Sequence, residues 1–267
     1  MSDWNGRGLP PVAQARVDRF AASGLRTSLM TVPSAVGAEA AGFTAVGEVM
    51  GCVVQQVSFT GSMLGTTADY QMKDYADAIR AGYGISLTRL CREADALGAD
   101  GVLGIGFTVT TIDANVQEFV ALGTAVRAQT KQRPKRLFTT DLPGEDVGKL
   151  MQAGWVPVTV AIGIAARAVY DWNMQYQTRV TAGNIEVQAP TQLITAIRAA
   201  ARTEFGKAVK AARADGGIVS EMTLRSWELG ETGVAGVTRM LGTAIAQFHS
   251  GRAAPSSALT ILPLKRS

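Results

Sequence analysis

The sequence has few of the side chains from which soft-metal and catalytic sites are usually built. Among 267 residues there is one histidine, His249, and there are two cysteines, Cys52 and Cys91, far apart in the chain. Zinc-type sites place cysteine or histidine ligands in close pairs, and no CxxC or HxxxH spacing occurs. A catalytic triad needs a base beside its nucleophile, and no GxSxG elbow is present. We therefore predict no cofactor, no metal site within a single chain and no enzymatic activity.

Long apolar runs, dense cysteine and a strong charge imbalance are also missing. The longest stretch without a charge, residues 49–68, is broken by polar side chains and predicts no membrane-spanning helix. The first five residues lack the basic and then apolar pattern of a signal peptide. Both cysteines are interpreted as small buried hydrophobes, and His249 as a surface residue at a strand end. The net charge of +4 favours no particular anionic partner. These features predict a cytoplasmic protein without a membrane partner.

An internal repeat is the strongest positive signal. Hydrophobic residues make up 47% of the chain, which is enough to build a proper core. Several short motifs occur twice in the same order, and motifs that recur in register at a nearly constant separation indicate a duplicated domain. The pairs are LGTA at 122–125 and 241–244, Ala-Asp-Gly at 99–101 and 214–216, Ala-Gly-aromatic at 41–43 and 153–155, and the prolines Pro33 and Pro143.

Each copy is predicted to contain one long amphipathic helix. Apolar residues three or four positions apart run from Tyr75 to Leu97 in the first copy, and from Leu193 to Ala212 in the second. In the first helix, glycines at 82 and 84 predict a break or a start near residue 85, because glycine weakens helices. A short helix precedes the first long strand of each copy, with Pro143 in its first turn and Asp141 as its cap.

Runs rich in β-branched residues predict the strands. The sequence thus predicts an α+β fold of two tandem copies of a small antiparallel-sheet domain packed by a long helix. The strands are expected at 43–54, 101–112 and 118–127 in the first copy, at 155–170, 217–229 and 234–248 in the second, with a short strand before each short helix and a further one at 258–262. The predicted organisation is an extension (1–24), a first domain (25–128), a basic linker (129–136), a second domain (137–249) and a tail (250–267).

Two further patterns resemble binding motifs but are interpreted structurally. The segment from Arg127 to Arg136 holds five basic and no acidic residues. It has no aromatics for base stacking, so we interpret it as a solvated linker and expect no nucleic-acid partner. Gly101, Gly104 and Gly106 lie within a predicted strand and not at a strand-to-helix turn. They are therefore expected to mark bulges or close packing and not a phosphate site.

The motifs of the first copy resemble the YbjQ (UPF0145) family. They are Glu48-Val49-Met50-Gly51, then a helix, then residues 97–104, then residues 118–126. The resemblance to the family is good over 43–127 and weaker over 155–248. In having two copies, the chain is similar to long members of the family from actinobacteria. Membership of this family would imply assembly into five-fold rings. The family is described as "putative heavy-metal-binding", and it implies no chemical reaction. The second copy departs from the pattern, since Val160 and Val237 stand where the first copy has Glu48 and Glu118.

Glu48 and Glu118 are acidic residues on otherwise apolar strands. They are expected either to face solvent, to pair with an arginine across a subunit contact, or to bind a ligand together with Cys52. We therefore hypothesise a non-catalytic, ring-forming assembly or scaffold protein. Five chains would supply ten domains, as two stacked rings or one ring per copy. The alternative is a small-ligand or metal-binding module with sites at subunit contacts.

Overall fold

The computed structural model describes residues 4, 8–24, 26–58, 67–130, 133–179, 183–248 and 262–263, with side chains from 72 onwards in the first long helix. The first half forms one four-stranded sheet, sheet A, with strand order β1-β3-β2-β4. Strands β1 to β3 are antiparallel, and β4 runs parallel to β2. The elements are α1 (Pro11–Ser23), α2 (Val32–Ala40), β1 (Phe43–Gln56), α3 (Thr67–Ala96), β2 (Gly101–Asp113), β3 (Val116–Ala128) and β4 (Phe138–Thr139).

The second half repeats this order in sheet B, whose strands run β5-β7-β6-β8. All of its neighbouring strands are antiparallel. The elements are α4 (Gly144–Gln152), β5 (Trp155–Tyr170), α5 (Met174–Gln177), α6 (Gln188–Ala211), β6 (Gly216–Glu228), β7 (Gly233–Gln247) and β8 (Leu262–Pro263). The predicted long strands and the two long helices are confirmed. Of the strand predicted at 258–262, only residue 262 lies within the described residues.

Local irregularities recur at matching positions and confirm the duplication. The register of β1 with β3 shifts between Ala45 and Gly47, and that of β5 with β7 shifts between Pro157 and Thr159. A side chain at Gly51 would meet the backbone of Ser86 and Leu90, and one at Gly163 would meet the backbone of Ala201 and Phe205. These contacts fix the structural equivalences between the copies. The pairs are Gly51 with Gly163, Ser86 with Ala201, and Leu90 with Phe205.

The break predicted in the first long helix is wrong, because α3 continues through both glycines. Gly82 is needed there: a Cβ at this position would lie 2.6 Å from the ring of Phe119. Packing of an aromatic ring against the bare helix backbone thus outweighs the helix-weakening effect of glycine. The bulge predicted in β2 is confirmed, since the register shifts between Leu103 and Gly106, and Gly104 has a positive φ of 61°.

The predicted start of the second short helix is also wrong. Pro143 is itself the N-cap of α4, and Asp141 makes no capping hydrogen bond to the helix. Asp141 instead accepts hydrogen bonds from the hydroxyls of Ser220 and Thr243. The two prolines of the repeat are consequently not equivalent, because Pro33 lies inside α2, after the N-cap Thr31. The short strand expected before α2 is not formed by the described residues there, whereas β4 precedes α4 and joins sheet A.

Helix α3 connects the two sheets. One side packs on β1 and β3 of sheet A, and a second side packs on β5 of sheet B. Tyr83 belongs to a core cluster with Ile164 and Ala166, and Leu90 to one with Val160 and Leu241. The equivalent helix α6 packs on β5 and β7 of its own sheet. The long helix of the first copy therefore packs on both sheets, whereas that of the second copy packs on its own.

Candidate functional site

The outer face of sheet A, on the side away from α3, carries all the candidate residues named from the sequence. Cross-strand pairing places Glu48 beside Thr124, Cys52 beside Val120, and Glu118 beside Val54. Side chains on a strand alternate between faces, and opposite partners share a face. We call this surface the open face. It consists of Glu48, Met50, Cys52 and Val54 on β1, and Glu118, Val120 and Leu122 on β3. Thr124, opposite Glu48 on the same side, is 1% exposed and accepts a hydrogen bond from the N–H of Leu29 at 3.0 Å, so the segment before α2 borders the open face there.

The open face does not bring the candidate residues together. Glu48 and Cys52 lie four residues apart on one strand, which is about 13 Å. Glu118 lies beside Val54, a further two residues along, so it is about 20 Å from Glu48. Within the part of the chain that the structure describes, no three His, Cys, Asp or Glu side chains form a group that could hold a metal ion. Glu48, Glu118 and Cys52 therefore do not converge on one site within a single chain, and a role of each in ligand binding stays a prediction.

The thiol chemistry also fits a soft metal poorly. Cys91, on α3, is half-buried, and burial together with the nearby Asp95 raises its pKa to about 11. Metals bind the thiolate, and a thiol with this pKa stays protonated at neutral pH. Cys52 is also half-buried and lies on a different element, β1. Neither cysteine is fully buried, so the interpretation as buried hydrophobes is only partly correct.

The equivalent face of sheet B is covered, in contrast to the open face of sheet A. Leu122 is 37% exposed, whereas its equivalent Leu241 is 5% exposed. Val54 is 56% exposed, whereas its equivalent Ala166 is 9% exposed. The difference arises because α3 lies over β5 and contributes the side chains that bury this face. The open face therefore lacks, within the described residues, the helix that covers its counterpart.

The short helices repeat the contrast. Helix α2 packs against α4, and Gly144 and Gly148 of α4 are buried in that contact. A Cβ on Gly144 would lie 2.0 Å from the carbonyl oxygen of Ser34. At the equivalent positions of α2 stand Val32 and Val36, which are 78% and 61% exposed. Exposed valines thus occupy the helix side that is a protein contact in the other copy.

Helix α1 protects the free edge of sheet A. Arg16 on α1 donates to the fully buried carboxylate of Glu93 on α3, with Nη2 to Oε2 at 2.8 Å. The same Oε2 accepts from the backbone N–H of Met50 on edge strand β1 at 2.9 Å. The Glu93 carboxylate raises the pKa of the Arg16 guanidinium, and Glu48 contributes in the same direction. Unpaired backbone groups at a strand edge can pair with the edge strand of another molecule. The Glu93 carboxylate occupies one such group, the N–H of Met50, and so protects this edge.

The segment predicted as a solvated linker is in part fixed to the first copy. Arg133 donates from Nε to both oxygens of Asp100, at 2.8 and 2.9 Å, and Asp100 is 5% exposed. Arg127 donates to the carbonyl oxygens of Leu97 and Gly98, just after α3. Cations at a helix C-terminus satisfy its free carbonyl groups. Arg127 and Arg133 therefore have a structural role that composition alone did not reveal.

A cavity of about 570 Å³ lies where the two copies meet. Such a volume is within the range of small-molecule sites. Its lining is mostly apolar and includes Arg136 as a charged group. The walls include Phe43, Leu137, Phe138, Met151 and Pro157. His249 lies outside the described residues. Of the helices that the structure describes, none is long and apolar enough to span a bilayer.

Comparison with known proteins places this architecture. The model of a family described as "Putative heavy-metal-binding", YbjQ_1, matches residues 29–129. A UPF0145 protein of Lactiplantibacillus plantarum is 30% identical over 102 residues, which are 37% of this chain and 84% of that protein. A UPF0145 protein of Thermotoga maritima is 36% identical over 64 residues, which cover 24% of this chain and 60% of its own length.

A longer relative matches both halves of the chain. The encapsulin nanocompartment protein Rv1762c of Mycobacterium tuberculosis is 29% identical over 191 residues, which are 69% of this chain and 71% of that protein. The first copy thus carries the family motifs, and the second repeats its topology in diverged form. The chain belongs to the YbjQ (UPF0145) family, of which it is a tandem two-copy member.

Proposed function

We propose that this chain is a non-catalytic building block that assembles head to tail with copies of itself. One observation carries the proposal: α3 of the first copy covers the outer face of sheet B, while the equivalent face of sheet A stays open. The contact between the copies is heterologous, because it joins different surfaces of two similar units. A heterologous contact leaves one unsatisfied surface at each end.

The two free surfaces correspond to the two sides of the internal contact, with one difference at the short helices. Val32 and Val36 stand where α4 has the closely packed Gly144 and Gly148, so the short helices of two chains would lie further apart. The open face and the exposed side of α2 form one end. The outward side of α6 and the far side of α4 form the other. If another chain repeats the internal contact, its α6 covers the open face as α3 covers sheet B. Repetition closes a ring when the rotation per unit allows it and otherwise extends a filament. Each chain contributes two copies of the domain, so a ring of whole chains contains an even number of domains. Five chains would contribute ten domains.

Two further points support assembly. The relative in Mycobacterium tuberculosis is named as an encapsulin nanocompartment protein, and its match extends over both copies. Apolar side chains also cluster on the surfaces that the repeat would bury, including Val32, Val54 and Leu122. Exposed apolar clusters of this kind are typical of protein contacts. A cytoplasmic location and a scaffold or container role are part of the proposal.

Native mass spectrometry of the full-length chain at micromolar concentration tests the proposal. We expect masses at multiples of the 28.0 kDa chain. The variant V32D/V36D should shift the population towards monomer, because both side chains are exposed in one chain and become buried in the repeat. Val12→Asp is the matched control, since Val12 is 76% exposed on α1, a helix that belongs to neither end. A wild-type chain that stays monomeric would contradict the proposal.

The cavity between the copies supports a second candidate, the binding of a small apolar anion. The apolar walls would hold the body of the ligand, and Arg136 would pair with its charge. The fluorescent probe anilinonaphthalene sulfonate has this chemistry. Met151→Trp should fill the cavity and reduce probe binding, whereas Met222→Trp on β6 should not. Equal binding by the wild type and both variants would count against this candidate.

A further inference from the structure

We infer that two arginines on α6 pair with Glu48 and Glu118 of another copy of this chain when chains assemble. This inference rests on the proposed head-to-tail assembly and specifies its contact. The contact inside the chain has Tyr83, Leu87, Val160 and Val237 at the positions that are charged at the two free ends.

Tyr83 and Leu87 are two of the α3 residues at the outer face of sheet B in the internal contact. Tyr83 is buried in the cluster that includes Val237 at its margin, and its hydroxyl accepts from Arg239 Nη1 at 2.7 Å. Leu87 packs against the cluster that contains Val160 and Leu241. The contact is thus built around two apolar clusters. Tyr83 shares one with Val237, Leu87 shares the other with Val160, and Arg239 adds a polar contact to Tyr83.

The equivalent positions at the free ends are charged, with opposite signs. The α3-to-α6 equivalence that pairs Leu90 with Phe205 places Arg198 at the position of Tyr83 and Arg202 at the position of Leu87. Both arginines are exposed. On the open face, Glu48 replaces Val160, and Glu118 replaces Val237. Both glutamates are half-buried.

The pairing follows from superposing one contact on the other. If α6 covers the open face as α3 covers sheet B, Arg198 and Glu118 fall in the counterpart of one cluster, and Arg202 and Glu48 in the counterpart of the other. Both changes are needed for a charge-compensated contact, because a half-buried carboxylate facing an apolar helix would lose its solvation without gaining a partner. The chain thus carries an apolar version of the contact inside itself and a charged version at its ends. Different versions keep the internal contact from exchanging with the one between chains.

Charge reversal in matched pairs of variants tests this assignment. E48R/E118R makes the open face basic, and R198E/R202E makes the α6 side acidic. Each alone should raise the dissociation constant between chains by about 100-fold or more, because like charges then face each other. An equimolar mixture of the two variants should assemble again in an alternating order. The quadruple variant, with all four charges exchanged, should assemble on its own.

Controls separate this inference from the proposed function. Glu231→Arg and Arg179→Glu make the same kinds of charge change at exposed positions in segments that belong to neither end, and they should leave assembly unchanged. If E48R/E118R fails to fold, the neutral pair R198Q/R202Q on exposed α6 should still weaken assembly and reduce its sensitivity to salt. A monomeric wild type would overturn the proposed function. Wild-type assembly that all of these variants share equally would overturn the arginine–glutamate contact alone.

Discussion

The outer faces of the two sheets have the same backbone and different surroundings. Sheet B is covered by α3, and its residues at the contact are apolar, such as Val160 and Val237. Among the residues that the structure describes, no helix covers this face of sheet A, and the same positions are Glu48 and Glu118. LGTA occurs on both faces, yet its leucine is buried only in the second copy. The comparison shows that the residue types on this face depend on whether a helix covers it, because the backbone fold is the same in both copies.

The edges of the two sheets differ in a related way. At β1, α3 satisfies the edge from within its own copy, through Glu93 to the N–H of Met50 and Arg89 to the carbonyl of Cys52. At β5, the first copy supplies the groups. Arg80 of α3 donates to the carbonyl of Ile164 at 3.0 Å, and Thr139 of β4 accepts from the N–H of Val160 at 3.0 Å. The second copy therefore depends on the first for hydrogen bonds at its edge strand.

The largest effect is expected at Glu93, which the second copy lacks because its equivalent is Ala208. Glu93→Ala should lower the free energy of unfolding by about 3–5 kcal/mol. It leaves the Arg16 guanidinium and the Met50 N–H without their buried partner. Urea unfolding followed by circular dichroism measures the change. Glu39→Ala, on α2, is the control and should change stability by less than about 0.5 kcal/mol.

Leu241 and Leu122 test the difference between the covered and the open face directly. Leu241→Ala should cost about 2–5 kcal/mol of folding stability, because it leaves a cavity under α3. Leu122→Ala should cost less than about 1 kcal/mol in the dilute single chain, since that side chain is partly exposed. It should, however, weaken assembly. Equal losses of folding stability for both variants would mean that the two faces are buried alike.

The helix-contact glycines test whether the two copies are alike where the comparison requires it. Gly51→Ala and Gly163→Ala should each cost about 1–3 kcal/mol, because the added carbon meets helix backbone at 1.9 and 2.1 Å. Gly84→Ala is the matched control: nothing lies within 4 Å of its added carbon, and alanine is the better helix former. It should stabilise the chain by about 0.5–1 kcal/mol. Thermal unfolding of all three variants checks the order.

Sequence periodicity predicted the elements of both copies because each long helix and strand has a strong local pattern. The strand Trp155–Tyr170 was predicted with the bounds that the structure has. The break in α3 was predicted wrongly, because the value of Gly82 lies in its contact with Phe119, a residue distant in sequence. The same holds for Pro143, where two prolines at similar places in the repeat occupy different helix positions.

The sequence identified the candidate residues but not the contact in which they would take part. The loss of Glu48 and Glu118 from the second copy was visible in the sequence, and so was an arginine partner as one explanation. What was not visible is that α3 covers sheet B, because contacts between the copies leave no periodic signal. Without that contact, Arg198 and Arg202 are ordinary exposed helix residues. The domain boundaries and the ring size stay predictions.

The two cysteines provide a probe of both surroundings, since Cys52 lies on the open face and Cys91 on covered α3. The pKa of Cys91 is raised to about 11 by burial and by Asp95, whereas an unfolded cysteine titrates near 8.5. The folded state therefore holds its proton more tightly than the unfolded state. Its contribution to stability is full below about pH 8.5 and is lost as the pH rises through about 11.

We expect the rise in pH from about 8.5 to about 11 to lower the free energy of unfolding of the wild type by about 1–2 kcal/mol more than that of Cys91→Ala. Urea unfolding at a series of pH values measures this difference. Iodoacetamide labelling read by mass spectrometry extends the comparison. Cys91 should react slowly at pH 8 in dilute and concentrated protein alike, because its thiolate is scarce. Cys52 should lose reactivity as the concentration rises, since a second chain then covers the open face. If Cys52 labels at one rate at all concentrations, that face is not the one that chains bury.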